Sequence, residues 1–346
     1  MLAAIRSRYG GPDVIELRTV DVPRPEAGQV LVQVRAASVN RIDHYELRGS
    51  PFMSRLVGGL RRPKEPGLGH DFAGDVVAVA ADVSEPRVGD AVFGSGIRAF
   101  AEYVAVKAEG VVAKPPSVSY EHAAAVPVAG LTALQGLRKQ ADLRPGQRVL
   151  VTGAGGGVGG FAVRIAKALG AEVTATTRRW SLERVAAMGA DRVFDSAGRG
   201  ADADALAEPH RYDVVLDVAG DRPMAALARA TRPNGVIVII GAWRVSTARV
   251  LGWFLEQGVL SRIRGRRIVF FYSQRDHADL ETLRDLLAAG SITPDIERTY
   301  PLDRIADAVR HLETFRTQGK VVVAPVSTNQ ATDRRDPQPG PEAGDG

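Results

Sequence analysis

Val149-Leu-Val-Thr-Gly153-Ala-Gly155-Gly156-Gly157-Val-Gly159-Gly160 decides the fold of this chain, with Phe161-Ala-Val-Arg-Ile-Ala-Lys-Ala-Leu-Gly170 directly after it. An apolar run ends in a glycine cluster. Val158, Phe161, Ala162, Ile165, Ala166 and Leu169 then recur at helix spacing and form one apolar face. Strand, glycine turn and helix in that order suit a nucleotide pyrophosphate. Glycines let backbone N–H groups approach the phosphates, and the helix N-terminus adds a favourable dipole. The alternative is a glycine-rich turn that merely packs a helix on a strand, and the flanking context weighs against it.

Outward from this stretch, strands alternate with helical periods. Glu172–Thr177, Asp191–Asp195, Val214–Asp217 and Val236–Ile240 have strand character, and Ser181–Met188 reads as a helix. Repeated strand–helix units predict an α/β fold with a doubly wound parallel sheet. This style holds over about residues 126–290. Residues 1–125 look different. Short alternating strands, around Gln29–Arg35 and Asp75–Val79, are punctuated by Gly and Pro, which predicts a small β-rich domain. The same style returns over about 291–326, with Val321-Val-Val323 as a last strand, so the nucleotide domain is read as an insertion within the β domain. Residues 327–346 are rich in Pro, Gly and charge and are read as a disordered tail.

Composition narrows the function classes. At 346 residues the chain can hold about two cored domains. It contains no cysteine, which excludes disulfides, thiolate catalysis and Cys-ligated zinc. No apolar run reaches membrane length and the N-terminus lacks a signal-like apolar segment, so a cytoplasmic protein without membrane contact is expected. The net charge of +5 is modest. It is a poor reason to propose nucleic acid, although Arg262, Arg264, Arg266 and Arg267 precede the aromatic Phe270 and Phe271.

The nucleotide can be specified further. Gly153, Ala154, Gly155, Gly156, Gly157, Val158 and Gly159 are the candidate phosphate cradle. An NAD-preferring site places an acidic residue about 20 positions on, at the end of the second strand. Here that strand ends in Thr177-Arg178-Arg179. Guanidiniums pair with a ribose 2′-phosphate and a carboxylate repels it, so NADPH is expected. A solvated pair of arginines at a strand end is the bland alternative. Ala219, Gly220 and Gly241 follow later strands, at the carboxyl edge where open α/β sheets bind ligands, and are added as candidates.

Several further motifs carry a resemblance. Ala37-Ser-Val-Asn40-Arg-Ile-Asp43-His-Tyr45, Gly69-His-Asp-Phe-Ala-Gly74, Val88-Gly-Asp-Ala-Val-Phe93, Ala129-Gly-Leu-Thr132-Ala and Gly319-Lys-Val-Val322 accompany the glycine cluster. With these the chain resembles the zinc-independent, quinone oxidoreductase-like branch of the medium-chain dehydrogenase/reductase superfamily. The resemblance covers nearly all of residues 1–325. It implies a GroES-like domain around a Rossmann domain, reduction of a small hydrophobic quinone or enone by NADPH, and a homodimer. It also implies that Thr132 and Lys320 lie near the cofactor. Zinc-dependent relatives have a cysteine where this chain has Asn40, and Gly-His-Glu where it has Gly69-His70-Asp71. No metal is therefore expected, and His70 is read as a core or cleft histidine.

Without a metal, charge developing on a substrate oxygen needs another donor. Tyr45 is the candidate catalytic hydroxyl and Asn40 the candidate orienting amide. The alternative is that Asn40 and Asp43 brace a turn while Tyr45 is a wall of the cleft. Residues 48–63, with Phe52, Met53, Leu56 and Leu60, are read as a lid or pocket wall, or else a packed surface loop. A zinc-free alcohol or ketone reductase and a non-catalytic NADPH-binding or RNA-interacting protein remain as competing functions.

Overall fold

Alternating side chains over Gln29–Arg35 place one face of a strand inward, and the computed structural model builds a mixed sheet around that strand. It describes residues 1–50, 53–196, 205–220, 222–240 and 265–324. A small antiparallel pair, β1 (Leu2–Ile5) and β2 (Glu16–Thr19), opens the chain. β3 (Gln29–Val39), β4 (Asp71–Val79), β5 (Ala91–Ser95), β6 (Tyr103–Lys107) and β7 (Val111–Ala113) follow. Helix α1 (Arg41–Arg48) and the short α2 (Met53–Gly58) lie between β3 and β4.

β3 and β4 run longer than their alternation predicts. Beyond Arg35 both faces of β3 are covered. Ala36 packs in the core shared with the nucleotide-domain helices, whereas Ala37 and Val39 pack in the core of the β-rich part. Two buried faces erase the period-two signal.

Val149, Leu150 and Val151 show no exposure, as expected of a parallel strand buried on both faces. They form β8 (Arg148–Thr152). With β9 (Glu172–Thr177), β10 (Arg192–Asp195), β11 (Tyr212–Asp217), β12 (Thr231–Ile239) and β13 (Arg267–Phe270) it makes a parallel sheet in the order β10-β9-β8-β11-β12-β13. The order reverses between β8 and β11, so the sheet has a switch-point crevice there. Helices α4 (Pro127–Gln135) and α5 (Gly157–Ala168) bear on that crevice, while α3 (Tyr120–Ala124) packs on β3 and β4. Phe161, Ala162, Ile165 and Ala166 form the buried face of α5.

The chain then returns to the first sheet. β14 (Ile296–Pro301) pairs with β15 (Lys320–Ala324), and β15 lies antiparallel to β3 with Val321 opposite Val39. This return brings Gly319 and Lys320 against the glycine cluster, where Gly156 and Gly319 form a lone β-bridge. Among the residues singled out from sequence, Phe52, Gly241, Arg262, Arg264 and the segment 327–346 lie outside the described residues.

Candidate active site

A cleft of about 630 Å³ runs along the switch point. Its two ends are the glycine turn after β8 and the first turns of α1, and the segment Phe271–Arg275 after β13 forms a wall.

The glycine turn is shaped by close approach. Gly153 has φ +65°, a left-handed conformation that glycine adopts without strain. A Cβ on Gly159 would meet the Gly153 carbonyl oxygen at 2.2 Å, so α5 packs directly on the turn. A Cβ on Gly155 would meet Thr177 Oγ1 at 2.4 Å. The first helical N–H groups, on Gly157, Val158 and Gly159, have no partner inside the helix. Gly155, Gly156, Gly157 and Val158 line the cleft. This cradle fits a pyrophosphate, since side chains there would fill the space that the phosphates need. Ala154 does something else. It is fully buried, and its N–H donates to the Thr176 carbonyl at 2.9 Å, so it stitches the turn to the sheet. Arg184 clamps the turn from outside, donating to the Gly155 carbonyl at 2.6 Å and to Asp295 at 3.2 Å.

At the end of β9, Thr177 and Arg178 line the cleft. Arg179 is exposed, starts a turn of 3-10 helix over Arg179–Ser181 and does not line it, which corrects the expectation of a two-arginine site from adjacent residues. Consecutive residues leaving a strand point in different directions. Arg222, just past the Ala219–Gly220 turn, also lines the cleft. Burial lowers its pKa, and the nearby Arg178 charge lowers it further. Trp180, Ser181 and Ser196 complete this end. Ala219 lines the cleft. Gly220 sits behind it, its N–H donating to Asp217 Oδ1 at 3.2 Å.

At the other end, Asn40 caps α1 and is 6% exposed. Its Nδ2 donates to Asp71 Oδ2 at 2.9 Å and to the Ser38 carbonyl at 3.1 Å, while its Oδ1 accepts from Lys320 Nζ. The amide expected to orient substrate is thus committed to the protein. Asn40 acts as a brace, because a buried amide must satisfy its own hydrogen bonds. Asp71 is fully buried. It accepts from the Val128 N–H at 3.0 Å at the start of α4, and Lys320 Nζ stands 3.9 Å away. Burial raises the Asp71 carboxyl to about 6 against the opposing pull of Lys320 and Asn40, and burial lowers the Lys320 ammonium. Lys320 lines the cleft with its ammonium turned into this network. Thr132 also lines it, donating to the Val128 carbonyl at 2.6 Å and lying 2.9 Å from Ser273 Oγ.

Tyr45 lines the cleft half-buried, and burial pushes its hydroxyl well above the usual phenol range. The hydroxyl therefore stays protonated as a hydrogen-bond donor. Glu46, the next residue, also lines the cleft and holds His70 Nε2 at 3.3 Å. His70 Nδ1 contacts Asp43 Oδ1 at 2.8 Å, and Asp43 Oδ2 accepts from the Asn40 N–H at 2.6 Å. Glu46, Arg222, Arg41 and Arg275 were not singled out from sequence. The i, i+3 spacing of Asp43 and Glu46 was the available signal for a shared histidine.

None of the described residues of 48–63 lines the cleft. Arg55 instead lies over the Tyr9 ring at 4.7 Å and donates to the Gly49 carbonyl at 2.9 Å, leaving Leu56 and Leu60 exposed. The described part of the segment is a surface element packed away from the cleft, and Phe52 lies outside the described residues. Phe271 and Tyr272 do line the cleft, whereas Phe270 packs against the opposite core.

A catalytic zinc wants three protein ligands. Both nitrogens of His70 are taken by carboxylates, an amide stands where related enzymes have a thiolate, and a buried ammonium sits beside Asp71. Among the described residues no group of three His, Cys, Asp or Glu is placed to hold a metal ion. These residues do not fit zinc.

Residues 26–116 match the model of the alcohol dehydrogenase GroES-like domain, and residues 188–323 match that of the zinc-binding dehydrogenases. A quinone oxidoreductase from Pseudomonas aeruginosa is 31% identical, over 92% of this chain and 97% of the relative. A chloroplastic NADPH-dependent alkenal/one oxidoreductase from Arabidopsis thaliana is 30% identical, over 94% of this chain and 80% of the relative. The solved quinone oxidoreductase of Coxiella burnetii superposes with a TM-score of 0.81 at 28% identity, over 94% of this chain and 99% of that one. With the GroES-like sheet, the parallel nucleotide sheet and near-full-length relatives in agreement, the chain belongs to the medium-chain dehydrogenase/reductase superfamily, in its quinone oxidoreductase-like branch.

Proposed function

We propose that this protein is an NADPH-dependent, zinc-independent oxidoreductase that reduces a quinone or an α,β-unsaturated carbonyl compound. One observation carries the reading: a single cleft joins the glycine cradle and Arg178 to a protonated, half-buried Tyr45. Two of the similar proteins bear the names quinone oxidoreductase and NADPH-dependent alkenal/one oxidoreductase, in keeping with it. A homodimer in the cytoplasm completes the proposal, on the strength of the resemblance. Among the described residues no helix is long and apolar enough to cross a membrane.

The glycine turn and the first turn of α5 would hold the pyrophosphate. Arg178 and Arg222 would face the 2′-phosphate, and Thr132 and Ala219 would flank the nicotinamide half. When bound, the nucleotide supplies a hydride. The chain's own residues do the rest. Tyr45 donates a hydrogen bond to the substrate carbonyl oxygen, which becomes enolate-like as hydride reaches the far alkene carbon. Lys320, Asn40 and Asp71 fix the start of α1, so that hydroxyl is held rather than searching. Ile42, Leu131, Phe271 and Tyr272 give the wall apolar and aromatic surface, which favours a hydrophobic substrate.

Reduction of a carbonyl to an alcohol is less well served. It calls for a stronger electrophile than one tyrosine whose burial makes it a poorer acid. The test is oxidation of NADPH, followed by its absorbance, with crotonaldehyde, carvone and phenanthrenequinone. Steady turnover is expected with at least one of them. Tight NADPH binding with no turnover on any would favour the non-catalytic reading.

A further inference from the structure

His70 places both ring nitrogens on carboxylates, at 2.8 Å from Asp43 and 3.3 Å from Glu46. Only the imidazolium offers two N–H donors, so this geometry selects the protonated ring. Asp43 and His70 are buried, at 2% and 6% exposure, while Glu46 opens into the cleft beside Tyr45. The three form a chain of hydrogen bonds from the core to the reaction space. We propose that Glu46 and His70 are the proton-delivery relay of this enzyme, with His70 holding the proton and Glu46 carrying it to the substrate carbon next to the carbonyl. This rests on the enone reading of the cleft.

The surroundings suit a relay. Arg6 lies near Glu46 and Asp43 and is 5% exposed; its Nε and Nη1 make no hydrogen bond, and its guanidinium lies 5.5 Å from the Tyr9 ring. The charged and titratable groups facing the relay are Asp43 and Glu46 from α1, Arg6 and Tyr9 from the N-terminal segment, Glu65 from the loop before β4, Asp71 from β4, Lys320 from β15, and Tyr272 and Arg275 from beyond β13. Burial alone would lower the His70 pKa. The hydrogen bonds and charges of Asp43 and Glu46 outweigh it and raise the group to about 10. Burial opposes ionisation of Glu46, but His70, Arg6 and Arg275 together keep it lowered.

The step balances. Hydride arriving at the far alkene carbon breaks the π bond and leaves the electron pair as an enolate, its oxygen on Tyr45. Glu46, ionised at rest, takes the proton of His70 Nε2 and hands it to the carbon next to the carbonyl, forming the second new C–H bond. Glu46 is left as the carboxylate and His70 as the neutral ring. Neutral His70 keeps its Nδ1–H on Asp43 and is recharged from solvent through Glu46. The alkene gains one hydride and one proton, and the reduced nicotinamide is the two-electron donor. Quinone reduction places protons on oxygen, where exchange with water is fast, so it depends less on the relay.

Glu46→Gln tests this, because the amide keeps a hydrogen-bond acceptor for His70 and cannot carry a proton. With carvone, kcat is expected to fall about 100-fold, a typical contribution from positioned acid catalysis, with KM changing far less. With phenanthrenequinone the fall should be smaller. The ratio of the two dihydrocarvone diastereomers should move toward that of unassisted protonation. In the wild type, activity on carvone should decline as pH rises through about 10, the point at which His70 loses its proton. In Glu46→Gln that limb should vanish, because the amide cannot pass the His70 proton on, while loss of the charge favouring the imidazolium moves the titration of His70 itself to lower pH. Ring-proton NMR of the nucleotide-free protein should report the same downward displacement of His70. Glu46→Asp should recover part of the lost kcat. An unchanged kcat and diastereomer ratio in Glu46→Gln, beside an active wild type, would overturn the relay alone. A wild type inactive on both probes would overturn the enone reading and the relay with it.

Discussion

The two ends of the cleft are made of different material. The nucleotide end is mostly backbone: one contiguous segment, Gly153–Gly159, packed so closely that a Cβ on Gly155 or Gly159 would not fit. The substrate end is side chain. Tyr45 and Glu46 come from α1, His70 from the start of β4, Thr132 from α4, and Tyr272 and Arg275 from beyond β13. A backbone site depends on the absence of atoms and fails when one is added. A side-chain site depends on chemistry and loses activity by degrees while its frame survives.

The largest effect should come from adding atoms to the backbone end. In Gly159→Val the new Cβ meets the Gly153 carbonyl oxygen at 2.2 Å, and neither backbone can yield cheaply. A loss of about 3 kcal/mol in stability and of measurable NADPH binding is expected, read by thermal unfolding and by titration. A stable variant that still binds NADPH would break the contrast. Next comes Arg178→Asp combined with Arg222→Ser. Two charge-assisted hydrogen bonds of about 1.5 kcal/mol each amount to roughly 100-fold in NADPH affinity, while NADH affinity should hold within about twofold. Equal losses for both nucleotides would mean that the arginines serve the fold rather than the 2′-phosphate. The smallest is Tyr45→Phe, about tenfold in kcat on enones with KM little changed. That is less than a closed oxyanion hole would show, because this cleft admits water. An undiminished kcat on every enone tested would make Tyr45 a wall.

This contrast also governs what could be read from sequence. The parallel sheet was legible because Val149-Leu-Val151 is an unbroken apolar run and the glycines follow it without a gap. The GroES-like part was legible from alternation at Gln29–Arg35, and its extent was hidden where both faces of β3 are buried. The cradle glycines were found as one word of sequence. Ala154 was included with them although its N–H belongs to Thr176. Arg179 was chosen for its adjacency to Arg178, whereas Arg222, which lines the cleft, lies over 40 residues away and is brought back by the sheet. Asn40 was expected to orient substrate, and the partners that occupy its amide instead, Asp71 and Lys320, are 31 and 280 residues distant. Pairing of that kind is set by tertiary packing and leaves no local spacing to detect.

The central claim is that hydride from a nucleotide held on the backbone end reaches an alkene carbon of a substrate held at Tyr45. The most direct measurement uses NADPH deuterated at both transferable positions of its nicotinamide, with carvone as acceptor and mass spectrometry or NMR of the product. The account predicts one deuterium on the ring carbon two bonds from the carbonyl carbon, with the ketone intact. Deuterium on the carbonyl carbon, in an alcohol product, would contradict it and turn the assignment to a zinc-free ketone reductase.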